Sequence, residues 1–130
     1  MLVKKLKNCK KFTAADGTFL REIFNPRKKN LKFRYSLVFA AIKPRQTSLP
    51  HKLKTSEVYY ILQGRGLMHI DGEKKKVFLN DTVYIPPGSI QFIRNTGKTD
   101  LKFLCIVDPA WTAAAEEILK KLFDKSNRKM

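Results

Sequence analysis

The sequence predicts an all-β fold, an antiparallel sandwich or barrel, and three observations predict it. Between Leu31 and Asp108, β-branched and aromatic residues recur throughout. Turn signals are closely spaced through that stretch, at Gly64, Gly66, Asp71-Gly72, Pro86-Pro87-Gly88 and Thr96-Gly97. Almost nothing between them has helical spacing, which leaves short antiparallel strands as the economical reading. A chain of 130 residues with 43% hydrophobic content is expected to form one domain, spanning residues 1–130, with a core that needs no disulfide or structural metal.

Phe12 to Pro26 reads as a strand, a turn at Asp16-Gly17 and a second strand from Thr18 to Phe24, because Asp-Gly supplies the positive backbone angle of a tight turn. Pro26 to Asn30 is a charged loop. Leu31 to Lys43 (LKFRYSLVFAAIK) is a central strand that stops at Pro44, which has no amide hydrogen to give a ladder. After Pro50, the run from His51 to Leu79 repeats a hairpin pattern, and Thr82 to Pro109 continues it.

Thr112 to Phe123 (TAAAEEILKKLF) has the marks of a helix. Thr112 can cap it, Glu116 and Glu117 come early, and Lys120 and Lys121 come late, as the helix dipole prefers. Ile118, Leu119, Leu122 and Phe123 make an apolar face at helical spacing, with Trp111 placed to pack the helix on the barrel. Asp124 to Met130 is a basic tail.

Cys9 and Cys105 fit neither a paired metal spacing nor a disulfide framework. The N-terminal MLVKKLKNCKK lacks the apolar stretch of a signal peptide, and no segment has the length and apolarity of a membrane span, so a cytoplasmic location without membrane contact is the expectation. Lys and Arg outnumber Asp and Glu 27 to 11, for a formal charge of +16. Such a field draws anions toward the protein. The lysines fall in scattered short runs, without the basic-aromatic pattern, zinc-finger spacing or helix-turn-helix of a nucleic-acid binder, so a Lys-rich surface of the thermophile kind ranks ahead of nucleic-acid binding.

Two segments together resemble the paired motifs of the cupin superfamily, in spacing as well as in residue type. The first motif runs glycine, histidine, histidine, glutamate, glycine; at its positions this chain has Arg45, His51, Leu53, Glu57 and Gly64. The second runs glycine, proline, glycine, histidine, asparagine; here these are Asn80, Pro86, Gly88, Gln91 and Asn95. The resemblance covers about the middle sixty per cent of the chain, with a motif core of about 32–108. It implies a jelly-roll barrel that often dimerises and usually holds a divalent metal on three histidines and the glutamate. Two of those histidines are replaced, by Leu53 and Gln91.

Strand alternation supports one shared interior, since residues two apart lie on one face. His51 with Leu53, Glu57 with Tyr59 and Ile61, and Gln91 with Ile93 then converge, with Tyr59 and Tyr84 as wall residues of a ligand pocket. His51, Glu57 and Gln91 are the candidate metal ligands, for Mn, Fe, Ni or Zn, the softer ions preferring more nitrogen or sulfur than this set offers. His51 and Glu57 are equally the candidate acid–base pair of a site without metal, Gln91 then hydrogen-bonding a substrate oxygen.

The expected function is binding of a small anionic molecule, with metal-assisted isomerase or dioxygenase-like chemistry on a sugar or keto acid in front. A non-catalytic ligand-binding module or a metal-free isomerase or epimerase is the alternative, and a basic nucleic-acid scaffold comes third. A homodimer is the expected assembly. His69 alternates with apolar Met68 and Ile70 and reads as a surface residue, Cys105 as a small core residue. Arg45 either gates the pocket for an anion or is a tolerated loop residue, and Ser56 has no nucleophile arrangement around it.

Overall fold

In the computed structural model, residues 1–14 and 17–119 are described. Among them, eleven strands form two antiparallel sheets. The strands are β1 (Lys11–Thr13), β2 (Phe19–Phe24), β3 (Ser36–Ile42), β4 (His51–Leu53), β5 (Ser56–Gln63), β6 (Arg65–Ile70), β7 (Glu73–Phe78), β8 (Thr82–Ile85), β9 (Gln91–Asn95), β10 (Leu101–Asp108) and β11 (Glu116–Ile118). One sheet has the order β1-β2-β3-β10-β5-β8 and the other β11-β4-β9-β6-β7. This is the all-β jelly roll that the turn spacing and the paired motifs predict.

The inner faces carry alternate residues of each strand. Ala40 and Ile42 of β3, Tyr59 and Ile61 of β5, Met68 of β6, Ile93 of β9 and Phe103 and Val107 of β10 are buried in one cluster. Burying side chains of this kind contributes roughly 1.5–3 kcal/mol each, which is the main force holding the two sheets together. The reading Asp71-Gly72 as a hairpin turn holds: φ is +48° and +84°, and Ile70 pairs with Glu73 on either side.

The backbone also explains the motif glycines. Gly64 has φ +85°, and a Cβ there would lie 2.9 Å from the carbonyl oxygen of Asp100, so the position needs glycine twice over. Arg45 and Asn80, which stand where the motifs have glycine, have φ +68° and +73°. The left-handed geometry is kept although the glycine is gone.

Two expectations are corrected. The central strand expected from Leu31 begins only at Ser36, because Phe33 stacks on Tyr35 with centroids 4.6 Å apart and meets Phe24 edge-on, folding the preceding residues into a loop. Among the described residues, the helix expected from Thr112 is not formed. Ala113–Ala115 make one 3-10 turn, the Thr112 side chain makes no capping bond, and Glu116–Ile118 are β11. Glu116, Glu117 and Ile118 pair with Leu53, Lys52 and His51, so β4 gains a ladder on that edge. Tertiary pairing outweighs helix propensity here. The rest of that segment, from residue 120, lies outside the described residues, as does Asp16 of the first expected turn; Gly17 beside it has φ +87°.

Candidate functional site

The two sheets bring the motif positions together inside the barrel. His51 is the register partner of Gln91, so β4 and β9 present both to the same side. Glu57 pairs with Val107 and Ile85, and Tyr59 with Cys105 and Val83, which turns that row of β5 inward. The outcome is a buried chain of polar groups. The Tyr59 hydroxyl donates to Gln91 Oε1 at 2.8 Å, Gln91 Nε2 donates to Glu57 Oε1, and the Cys105 thiol donates to Glu57 Oε2 at 2.7 Å. Leu53 is buried beside them.

His51 is half-buried, and its Nδ1 lies 2.9 Å from the carbonyl oxygen of Leu49. A carbonyl only accepts, so Nδ1 donates this hydrogen bond and Nε2 is the ring nitrogen left for a ligand. The imidazole is close enough to pull the Glu57 carboxyl down electrostatically, but burial acts more strongly and in the opposite direction. Glu57 is therefore held above the usual carboxylate range. Burial likewise pushes the Tyr59 hydroxyl and the Cys105 thiol well up, with Glu57 adding to both.

A further acid reaches the same place. Glu116 faces with its register partner Leu53 and accepts a hydrogen bond from Trp111 Nε1 at 2.9 Å. Its charge raises Glu57, Tyr59 and Cys105 alike. Trp111 packs against the core ahead of β11, correcting its expected place under a helix. The surface of this protein is strongly basic, yet the site holds two carboxyls and one imidazole.

Tyr84 is corrected too. Ile85 and Val83 face inward, so Tyr84 between them faces out, 61% exposed. It lines instead the rim of a cleft of about 470 Å³ between β7 and β8, the facing edges of the two sheets. His69 lies on the outer face as expected, half-buried and stacked on Phe92 with centroids 4.1 Å apart.

The residues at the ligand positions do not fit the four-donor metal shell that the motif resemblance implies. Leu53 offers no donor, and the Gln91 amide turns its N–H toward Glu57. Both Glu57 oxygens already accept hydrogen bonds. Among the described residues, no three His, Cys, Asp or Glu side chains are grouped to hold an ion.

Sequence reasoning missed Cys105, Trp111 and Glu116 as members of the site. Cys105 shares the parity of Phe103 and Val107, so its inward direction was readable, but its pairing with Tyr59 was not. Glu116 and Trp111 were hidden by the helical pattern.

The cupin domain family model matches residues 38–107. The chain belongs to the cupin family. An uncharacterized protein of Methanocaldococcus jannaschii is 42% identical over 113 residues, covering 85% of this chain and 89% of that one. An oxalate-binding protein of Thermotoga maritima is 39% identical over 51 residues, covering 39% of this chain and 42% of its own length. Among solved structures, a predicted oxalate decarboxylase of Thermotoga maritima superposes with a TM-score of 0.71 at 23% identity, over 83% of this chain and 99% of that one. A polyketide cyclase of Streptomyces resistomycificus has a TM-score of 0.71 at 17% identity, over 83% and 79%. These structural likenesses concern the fold. Among the described residues, no helix of this cupin is long and apolar enough to cross a membrane.

Proposed function

We propose that this cupin binds a small oxygen-bearing acid inside its barrel and holds it by hydrogen bonds, without a resident metal. The observation that carries the reading is the Tyr59–Gln91–Glu57–Cys105 chain. Burying four polar side chains in a core that could be apolar is costly unless each is paired. Glu57 and Gln91 stand at ligand positions of the motif and Tyr59 and Cys105 bond to them, and such buried polar groups in an apolar core are expected at functional positions. The oxalate-binding relative supports a small acid as the ligand class. His51, with its tautomer set by Leu49, supplies one group able to move a proton, which favours acid–base isomerisation as the reaction if one is catalysed.

Calorimetry with oxalate, pyruvate, 4-methyl-2-oxopentanoate and phenylpyruvate tests the binding. At least one should bind, and Tyr59→Phe or Gln91→Leu should weaken it by about tenfold, the worth of one neutral hydrogen bond. No binding by any of the four, or binding indifferent to both changes, overturns the reading. Elemental analysis after exposure to Mn²⁺, Fe²⁺, Ni²⁺ and Zn²⁺ tests the metal. Well under one ion per chain is expected, rising toward one when Leu53→His and Gln91→His restore the donors. Near-stoichiometric metal in the unaltered protein, lost in both His51→Ala and Glu57→Ala, overturns the metal-free part.

The homodimer belongs to the same proposal. Tyr60, Leu62 and Ile106 are exposed on the outer face of the β5 and β10 pair, an apolar row that a second copy would cover. Sedimentation should show a dimer that Ile106→Lys converts to monomer. A monomer at every concentration removes this part.

A further inference from the structure

We infer that the ligand is a monocarboxylate with an apolar body, admitted through the cleft between β7 and β8, an inference that rests on the interior binding proposed above. The cleft, at about 470 Å³, has the size of a small-molecule site. Its inner lining is Met68, Ile70, Val77 and Val83, of which Met68 and Val77 are buried core residues reached from outside at this point.

Register connects the cleft to the polar chain. Ile70 is the partner of Gln91 and Val83 the partner of Tyr59, and cross-strand partners carry their side chains about 5 Å apart on one face. A molecule seated against Ile70 and Val83 therefore lies beside the strand positions of Gln91 and Tyr59, whose polar atoms are buried behind the cleft and bonded to each other.

Charge decides the rest. Behind the cleft lie the carboxyls of Glu57 and Glu116 against one imidazole, His51, so a dicarboxylate would bring two further negative charges toward a place already acidic. The rim carries Lys75 and Lys76 with Glu73 and Asp81, and Asp81 is engaged by the amide of Phe78 at 2.7 Å. One carboxylate can pair with Lys75 at this rim while the apolar body lies inward. Oxalate, with charge at both ends and no body, fits neither half.

The four acids named above separate the possibilities. 4-Methyl-2-oxopentanoate and phenylpyruvate should bind at least about tenfold more tightly than pyruvate, because added apolar atoms in a matching cleft are worth that much, and oxalate should bind weakest. Lys75→Glu, at an exposed position, should weaken the branched acid several-fold. Val83→Thr, nearly isosteric, should narrow the preference for the branched acid over pyruvate. Oxalate binding as tightly as the branched acid overturns the inference and leaves interior binding standing. So does an apolar preference that neither Lys75→Glu nor Val83→Thr alters. Failure of all four acids to bind overturns interior binding itself, and this inference with it.

Discussion

The turns and the interior of this barrel have met substitution in opposite ways. At the turns, Arg45 and Asn80 replace the motif glycines and still hold φ at +68° and +73°. In the interior, Leu53 and Gln91 replace the motif histidines and the chemistry changes with them: the amide bridges Tyr59 and Glu57, and the leucine is packed. A left-handed residue costs on the order of 1–2 kcal/mol when it is not glycine, which a stable barrel can absorb. A metal donor that becomes a methyl group cannot be compensated by strain. Backbone geometry is thus the durable part of the motif and side-chain chemistry the replaceable part.

The comparison breaks first, if it breaks, at Gln91. Gln91→Leu leaves the Tyr59 hydroxyl and one Glu57 oxygen buried without their partner, and each orphaned group costs about 1–3 kcal/mol, so a loss of about 3 kcal/mol in urea unfolding is expected. A loss below about 1 kcal/mol would mean the polar chain is not a connected unit. Gly64→Ala should cost about 2 kcal/mol, from a Cβ 2.9 Å from Asp100 O at a φ of +85°. Arg45→Gly should do the reverse, raising stability by about 1 kcal/mol; no gain would show that the Arg45 side chain returns something for its strain.

The gentlest probe is pH. Glu57 is raised by burial in the folded protein, so the folded state holds its proton more tightly than the unfolded chain does. Its contribution is fully present below the ordinary carboxylate range and is lost as pH rises through the folded value. Glu57→Gln keeps an oxygen toward Gln91 and removes the titration. The variant should match the parent protein in acid and gain on it steadily as pH rises. Parallel stability curves would show that Glu57 ionises as easily inside as outside.

Much of this was legible in the chain itself. Alternation in residues 57–61 and 91–95 put Glu57 with Tyr59 and Gln91 with Ile93 on common faces, and the structure finds those rows inside. Alternation says which residues share a face and leaves open which face is inner, so it does not settle the direction of Tyr84, which faces out while Val83 and Ile85 face in. The Thr112–Phe123 pattern has good helical spacing. It fails where it is described because β4 offers an open edge, and a vacant ladder is a nonlocal fact.

The sequence by itself determined the strand-and-turn order and the replacement of two motif histidines, because these depend on local backbone preference and residue type. Only the tertiary structure decided that Cys105, Trp111 and Glu116 join the site, that the interior is acidic beneath a basic surface, and that a cleft opens beside Ile70 and Val83. Those features arise from pairings between strands far apart in the chain, and register between distant strands is settled by how the whole core packs.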